Sequence, residues 1–511
     1  MEYKNPILTG MYPDPSICRA DQDYYLVTSS FEYLPGIPVF HSRDLVHWEQ
    51  IGHAIHRNEQ LDMQNIAALG GIYAPTIRYH DGMFYVISTL VTGRGAPSYN
   101  FYVYASNPRG PWSMPIFVGQ SGIDPSLFFD SDGSVYLASN LYGKPWPNPV
   151  IQQSILDIRT GALLTQPRVI ANGSGGACTE GPHLFYRNGY YYLLCAEGGT
   201  ALGHMVTLFR ADTPWGSFTQ GCPHNPILTA RDDIAAPLCA AGHADFVTTQ
   251  HGETWMVFLC YRHAFSKYHH LGRETALLPV TWDADGWPHV VGGKPPAEFV
   301  KYPATQIIKS QSAQTTDIDT STPGNLALCW NSVRHFPNDT HLEQNQGDFI
   351  LQGTAGTLCD ANCDFIAQRQ RHFDCEIQVS ITFHAHCETE EAGLAIRQSD
   401  EAHYAWVCTQ RNGKPSIVLK RTVCDIQTES RSYPVPYKAT LFIKADRYAY
   451  SFGIRKNNQI LWLESASTHL LSSEVNWGFT GVYIGMYAAG NSRNCQNYAV
   501  FKQFSYSGTN P

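Results

Sequence analysis

The sequence predicts an all-β fold, a five-bladed β-propeller followed by a jelly-roll-like β-sandwich, and three observations predict it. A strand-bearing unit recurs five times over about the first 300 residues, then a stretch without aromatic residues intervenes. Beyond that stretch, segments of alternating apolar and polar residues are separated by turns, as in a sandwich. Strand-rich units of this length pack radially around one channel, so equivalent positions of every unit converge there.

Each unit opens with a short motif about ten residues ahead of an aromatic-rich strand. In the first, Asp14-Pro15-Ser16-Ile17 precedes Tyr24-Tyr25-Leu26-Val27, and in the second Ala74-Pro75-Thr76-Ile77 precedes Phe84-Tyr85-Val86-Ile87. In the third, Asp124-Pro125-Ser126-Leu127 precedes Val135-Tyr136-Leu137. Glu180 and His243 open the fourth and fifth, ahead of Tyr190-Tyr191-Tyr192 and Thr254-Trp255-Met256. Turn signals such as Asp81-Gly82 and Asn188-Gly189 sit just before the aromatic strands, where tight turns join antiparallel neighbours. A Trp closes most units (Trp48, Trp112, Trp215, Trp287), and the third unit lacks it. The expected organisation is a propeller over residues 1–302, a linker over 303–324 and a sandwich over 325–511.

Length and composition narrow the function. A chain of 511 residues is too long for one ordinary core. Charged residues are only 15%, against roughly 25% in typical soluble proteins. Aromatics reach 13%, a balance that suits neutral ligands with apolar faces, sugars among them. A net charge of −9 with no basic run argues against nucleic acid. No run approaches 18 consecutive apolar residues, so no membrane span is expected, and the opening residues carry no apolar signal-like core. The fourteen Cys are scattered through a long chain, which fits reduced thiols in a cytoplasm better than a disulfide scaffold. Cys359 and Cys363 have a loosely metal-like spacing without a matching second pair, and no metal site is assigned.

Asp14, Asp124 and Glu180 share one register of the repeat, so the propeller brings three acids to one end of its channel. A single Asp-Pro-Ser is most simply a turn whose Asp bonds nearby backbone. Three acids in register are harder to explain so, because buried carboxylates are costly unless paired or used. Glycosidic hydrolysis needs two carboxyl groups, one to protonate the leaving oxygen and one on the opposite face. A third beside the acid raises its pKa by like-charge repulsion. His243, in the fifth register, suits a structural or electrostatic role.

Taken together, the motifs resemble glycoside hydrolase family 43, most closely its intracellular β-xylosidase branch. The resemblance runs through Asn5-Pro6-Ile7-Leu8, Tyr12-Pro13-Asp14-Pro15-Ser16, Phe31-Glu32-Tyr33-Leu34-Pro35-Gly36 and Asp124-Pro125-Ser126-Leu127-Phe128-Phe129. It continues through Thr179-Glu180-Gly181-Pro182-His183, Ala196-Glu197-Gly198-Gly199-Thr200 and Leu271-Gly272-Arg273-Glu274-Thr275, and on to Trp330-Asn331 and the closing segment of the chain. It implies an inverting, exo-acting hydrolase with Asp14 as general base, Glu180 as general acid and Asp124 as modulator of the acid's pKa. Phe31, Tyr73, Ala74, Thr200 and Arg273 fall where the family contacts sugar, and His243 joins them at the channel floor. Tyr73 stands where many relatives carry Trp. A loop of the sandwich is expected to cover the pocket, with residues 485–494 as its counterpart.

The implied substrate is a short xylo-oligosaccharide losing terminal β-1,4-xylose, with α-L-arabinofuranosidase activity as the alternative. A non-catalytic carbohydrate-binding propeller fits three gathered acids less well. A retaining fructan-type propeller would need its carboxyl groups about 5–5.5 Å apart, rather than the roughly 6.5–9.5 Å of inversion. No cofactor is required, a structural cation in the channel is allowed, and so is a homo-oligomer. Cytoplasmic placement fits short imported oligomers.

Overall fold

The structure is a computed structural model that describes residues 2–143, 145–303, 326–337, 342–345 and 348–509. The expected linker lies, from residue 304 onward, outside the described residues. Five antiparallel sheets follow one another along the chain up to residue 290, each wound from its first strand outward. The innermost strands are Ser16–Ala20, Gly71–His80, Ser126–Phe129, Glu180–Arg187 and Cys239–Thr248, which we call blades I to V in that order. Each inner strand packs on those of the blades before and after it, and blade V returns to blade I, so the ring closes. Glu2–Lys4 pairs with Phe299–Lys301, and the Asn5 side chain bonds Leu277 of blade V through both N–H and C=O. The two ends of the propeller are thereby stitched to its last blade.

Local chemistry explains why the register positions meet at the channel mouth. In blades II, IV and V the inner strand is irregular between Tyr73 and Thr76, Glu180 and His183, and Gly242 and Ala244. A bulge adds a residue and re-aims the side chains around it. In blades I and III the strand begins just after Asp14-Pro15 and Asp124-Pro125, where proline can neither donate to the ladder nor extend it. Asp14, Asp124 and His243 hold positive φ, at 54°, 54° and 44°. Non-glycine residues adopt this region only where surroundings over-determine it, commonly at functional sites.

The second domain is two packed antiparallel sheets. One runs in the order Leu342–Asn345, Asp348–Leu351, Ala499–Gly508, Cys375–Thr382, Lys438–Ala445, Ala449–Lys456, Gln459–Ser467. The other runs Asp364–Arg369, Tyr483–Ala489, Glu391–Ser399, Ala402–Arg411, Lys414–Val423, Ile426–Glu429, with Tyr433–Pro434 also on Lys414–Val423. Cys375–Thr382 alternates buried and half-buried, one face to the core. Glu391–Ser399 is buried at every position, because its sheet faces the sandwich core on one side and the propeller on the other. On that second side Phe365, Ala367, Ala395 and Tyr483 pack with Met11, Phe31 and Tyr33 of the propeller.

Polar contacts fix the docking. Tyr33–Leu34 pairs with Ser332–Val333 as a two-stranded ladder across the interface. Glu32, fully buried, receives Arg334 at 2.5 Å and Arg397 at 2.9 Å, and both arginines also reach Asp400. The Arg369 guanidinium donates to the Met11 carbonyl at 2.8 Å and lies over the Tyr12 ring. Burial of such charges is tolerated only when each is paired, and removing one partner typically costs about 3–5 kcal/mol.

Candidate active site

Asp14, Asp124 and Glu180 meet at one end of the channel, with only 5%, 6% and 8% of their surfaces exposed. Asp14 accepts Ser29 Oγ at 2.6 Å and Arg273 Nη1 at 3.1 Å, with His243 Nδ1 at 3.8 Å. Burial opposes its ionisation, but Arg273, His243, the Ser29 hydrogen bond and His204 together outweigh burial and hold Asp14 below the usual carboxylate range. Glu180 has no such cation within bonding distance. Its carboxylate accepts Tyr142 Oη at 3.2 Å, and burial, with the Asp14 charge adding to it, pushes its pKa up to about 7. Asp124 accepts the Gly181 N–H at 3.1 Å, and burial beside Glu180 and Asp14 raises it well above its ordinary value. Two carboxyls so close and so buried cannot both ionise readily, so the Asp124–Glu180 pair retains a proton toward neutral pH.

Arg273 shows how the second domain enters the site. Its Nε is buried and has no hydrogen-bond partner among the described residues, while its guanidinium lies over Phe31 at 5.6 Å and Phe479 at 5.7 Å. Arg273 does not pair with its chain neighbour Glu274. Glu274 is taken by Arg262 at 2.7 Å and by the Gly10 N–H at 2.8 Å. The loop that ends at Arg273 is clamped by the sandwich. Glu474 holds His269, the Val482 N–H donates to the His270 carbonyl at 2.9 Å, and Arg447 donates to the His263 and Ala264 carbonyls. Gly481 lies so close to this loop that a Cβ there would fall 2.2 Å from the Leu271 carbonyl oxygen.

The roof of the pocket corrects one expectation. Residues 485–494 do not cover it. Tyr483–Ala489 is an interior strand of the sandwich, and the turn after it bonds Gly353, Thr354, Ala355 and Thr389, all within that domain. The segment that reaches the site is 477–481, just ahead of that strand. Phe479 packs on Phe31 and Tyr73 with ring centroids 6.2 Å from each, and Trp477 stacks under the Arg94 guanidinium at 5.0 Å. A short, glycine-interrupted aromatic run (Trp477-Gly478-Phe479) cannot continue a strand pattern, and that is the sequence signal that would have pointed here.

The remaining expected contacts divide. Phe31 and Tyr73 face each other at 4.8 Å, and Tyr73 Oη is tied to the Leu69 carbonyl. Phe31 is pinned by paired backbone bonds to Ile72, which Gly71 permits, since a Cβ at Gly71 would overlap the Phe31 carbonyl at 2.1 Å. Ala74 is buried at the blade II bulge. His243 is buried against Asp14, and its burial holds the imidazole below its ordinary pKa. Thr200 lies on an exposed turn beyond the second strand of blade IV, outside the buried cluster. The neighbouring Glu197 is structural, organising the turn at 174–176 through Ser174 and Gly176 and accepting Thr207. Ser29, Tyr142 and His204 were not anticipated from sequence. His204 is buried beside Asp14 and His243, and burial lowers it to about 3. Among the described residues, the channel near His243 gathers no three His, Cys, Asp or Glu ligand atoms within 4.8 Å of one another.

A propeller that buries together one carboxyl held low by its neighbours and another pushed high by burial has the makings of a glycosidase, which needs an ionised and a protonated form at once. The chain belongs to family 43 of the glycosyl hydrolases, whose model matches residues 3–288, and a β-xylosidase C-terminal concanavalin A-like domain matches 319–507. A non-reducing end α-L-arabinofuranosidase of Bacteroides ovatus is 41% identical over 99% of this chain and 94% of its own length. A xylosidase/arabinosidase of Butyrivibrio fibrisolvens is 34% identical over 98% of each chain. Among solved structures, the Bacteroides ovatus xyloglucan PUL GH43B superposes with a TM-score of 0.91 at 40% identity, covering both chains completely.

Proposed function

We propose that the enzyme removes terminal β-1,4-linked D-xylose from the non-reducing ends of xylo-oligosaccharides, with inversion of configuration. The observation that carries this is the opposite displacement of two carboxyl pKa values in one roofed pocket. Asp14 is pulled down chiefly by the Arg273 guanidinium, with the neighbouring histidines and the Ser29 hydrogen bond adding to it, and Glu180 is pushed up to about 7 by burial. Glu180 protonates the departing oxygen, Asp14 takes a proton from the attacking water, and Asp124 keeps the acid's proton in place. Arg273 binds sugar hydroxyls through its free Nε while fixing Asp14 as an anion. Phe31, Tyr73 and Phe479 pack on one another beside Arg273, and a site walled by rings in this way takes a chain end, which makes the action exo. The reaction is assigned to these side chains without a cofactor.

The second reading, α-L-arabinofuranosidase activity, is favoured by the 41% identical Bacteroides relative, which is named for it. Terminal xylose and arabinofuranose present similar hydroxyl geometry, so one pocket accepts both to different degrees. Initial rates on xylobiose and on an arabino-oligosaccharide decide between them. A higher kcat/KM on xylobiose, with the released xylose first appearing as the α-anomer, is expected. A preference for the arabino-oligosaccharide shifts the assignment to the second reading, and first release of β-xylose would exclude inversion.

A further inference from the structure

The geometry points to a transition-metal site of zinc type on the outer rim of the propeller, formed by His224, Asp283 and His289 and joining blades IV and V. His224 lies just beyond Gln220–Gly221, the fourth strand of blade IV. Asp283 and His289 flank the hairpin between Glu274–Trp282 and Pro288–Val290, the third and fourth strands of blade V. All three residues therefore sit at the far edge of the blades, away from the inner strands that carry Asp14, Asp124 and Glu180. This is the one group of three such residues among those described whose ligand atoms lie within 4.8 Å of one another.

One histidine bonds the carboxylate and the other stands just beyond bonding reach of the same oxygen, a spacing that a shared ion would even out. His289 Nε2 is 3.2 Å and His224 Nε2 3.8 Å from the same oxygen, Asp283 Oδ2. The second distance is too long for a hydrogen bond. Zinc–ligand bonds of about 2.0–2.1 Å at tetrahedral angles separate ligand atoms by roughly 3.3–3.4 Å, between the two observed values. The imidazole ring centroids are 4.2 Å apart and inclined by 44°, so the two rings lie side by side at that oxygen. Asp283 is pre-set for the task, because its other oxygen accepts the Trp287 N–H at 2.7 Å. Trp287 is itself held beneath the Arg210 guanidinium at 4.1 Å. Such support from outside the ligand set is what orients a metal-binding carboxylate.

Both histidines line a surface cleft of about 360 Å³, which gives an ion and its fourth ligand access. Lys294 lines the same cleft, but its ammonium is turned to the His224 carbonyl at 2.6 Å and thereby fixes the backbone of one ligand. Two imidazoles and one carboxylate select zinc, copper or nickel over magnesium and calcium. An ion there ties blade IV to blade V and stabilises the native ring by binding it preferentially.

Calorimetric titration of the metal-free full chain with ZnCl2, beside His224→Ala, His289→Ala and Asp283→Asn, tests the site. Asp283→Asn retains an oxygen for the Trp287 N–H, so it removes the charge while preserving the turn. The expected result is one bound zinc equivalent fewer in each variant than in the wild type. Zinc should also raise the wild-type Tm by several degrees and the variants' less, and MgCl2 should do neither. Equal zinc stoichiometry and equal Tm shifts in wild type and all three variants would overturn the proposal.

Discussion

At the residue scale, the decisive contrast is between two acids with similar burial and different neighbours. Asp14 and Glu180 were both legible in the sequence, because the repeat places them in one register. What the sequence could not show is what surrounds each. Ser29, His204 and Tyr142 lie in segments with no repeat signal of their own, and only the folded ring brings them to the carboxyls. The contrast has consequences for pH. Asp124 and Glu180 share a proton, and replacing Asp124 with Asn removes the like-charge repulsion that opposes its loss, so the alkaline limb of the kcat/KM profile should move to lower pH. An alkaline limb unchanged in the Asn variant, with chemistry rate-limiting, would show that Asp124 does not act on the acid. Stability should follow the same group. The folded-state pKa of Glu180 lies above its unfolded value, so the folded form retains the proton between about 4.5 and about 7, and stability from this group is lost as pH rises across that window. Thermal melts should therefore show Glu180→Gln gaining Tm over wild type progressively from pH 4.5 to 7. A gain that is constant with pH would point to some other cause.

At the element scale, the inner strands were readable and the roof was misplaced. Asp-Pro-Ser motifs and the turn at Asp81 announced where strands begin, since proline and positive-φ positions carry strong local rules; Asp81 and Asn188 do adopt φ of 48°. The roof obeys no such rule. It is a short connection whose position depends on how two domains dock, and its one local signal, the glycine-interrupted aromatic run Trp477-Gly478-Phe479, marks a break in the strand pattern without saying what the segment covers. Its placement is sensitive to single atoms. Gly481→Ala would drive a Cβ into the Leu271 backbone and displace the loop that presents Arg273. A displacement of about 1 Å can cost on the order of 10²-fold in rate, and a loss of that order in kcat/KM is expected. Near-normal kinetics in a folded Gly481→Ala protein would show that the sandwich does not position Arg273.

At the scale of the whole molecule, the sandwich packs directly on residues beside the three acids, with Phe479 against Phe31, Tyr73 and Arg273. Its sheet buries its outer face on Met11, Phe31 and Tyr33, and Phe31 is at once interface and pocket wall. The two-domain division was visible in composition, but the both-sides-buried strand Glu391–Ser399 was not, because its Arg397 reads as a surface residue until Glu32 is found opposite it. Glu32→Ala should destabilise the docked state by about 3–5 kcal/mol, seen in chemical denaturation, by leaving Arg334 and Arg397 short of a partner. A chain ending at residue 303 should expose that apolar face, lose solubility and show little activity even on a small aryl xyloside. Full activity of a soluble truncation would instead make the second domain dispensable to the chemistry.

The assignment of Glu180 as acid and Asp14 as base is tested most directly by leaving-group dependence. Glu180→Ala and Asp14→Ala are assayed on xylobiose, whose leaving sugar needs a proton, and on a nitrophenyl xyloside, whose phenolate leaves without one. General acid–base groups contribute roughly 10²–10⁴-fold each. Glu180→Ala should lose most of its activity on xylobiose and far less on the nitrophenyl substrate, while Asp14→Ala should lose both alike. Equal losses on the two substrates in Glu180→Ala would contradict the assignment.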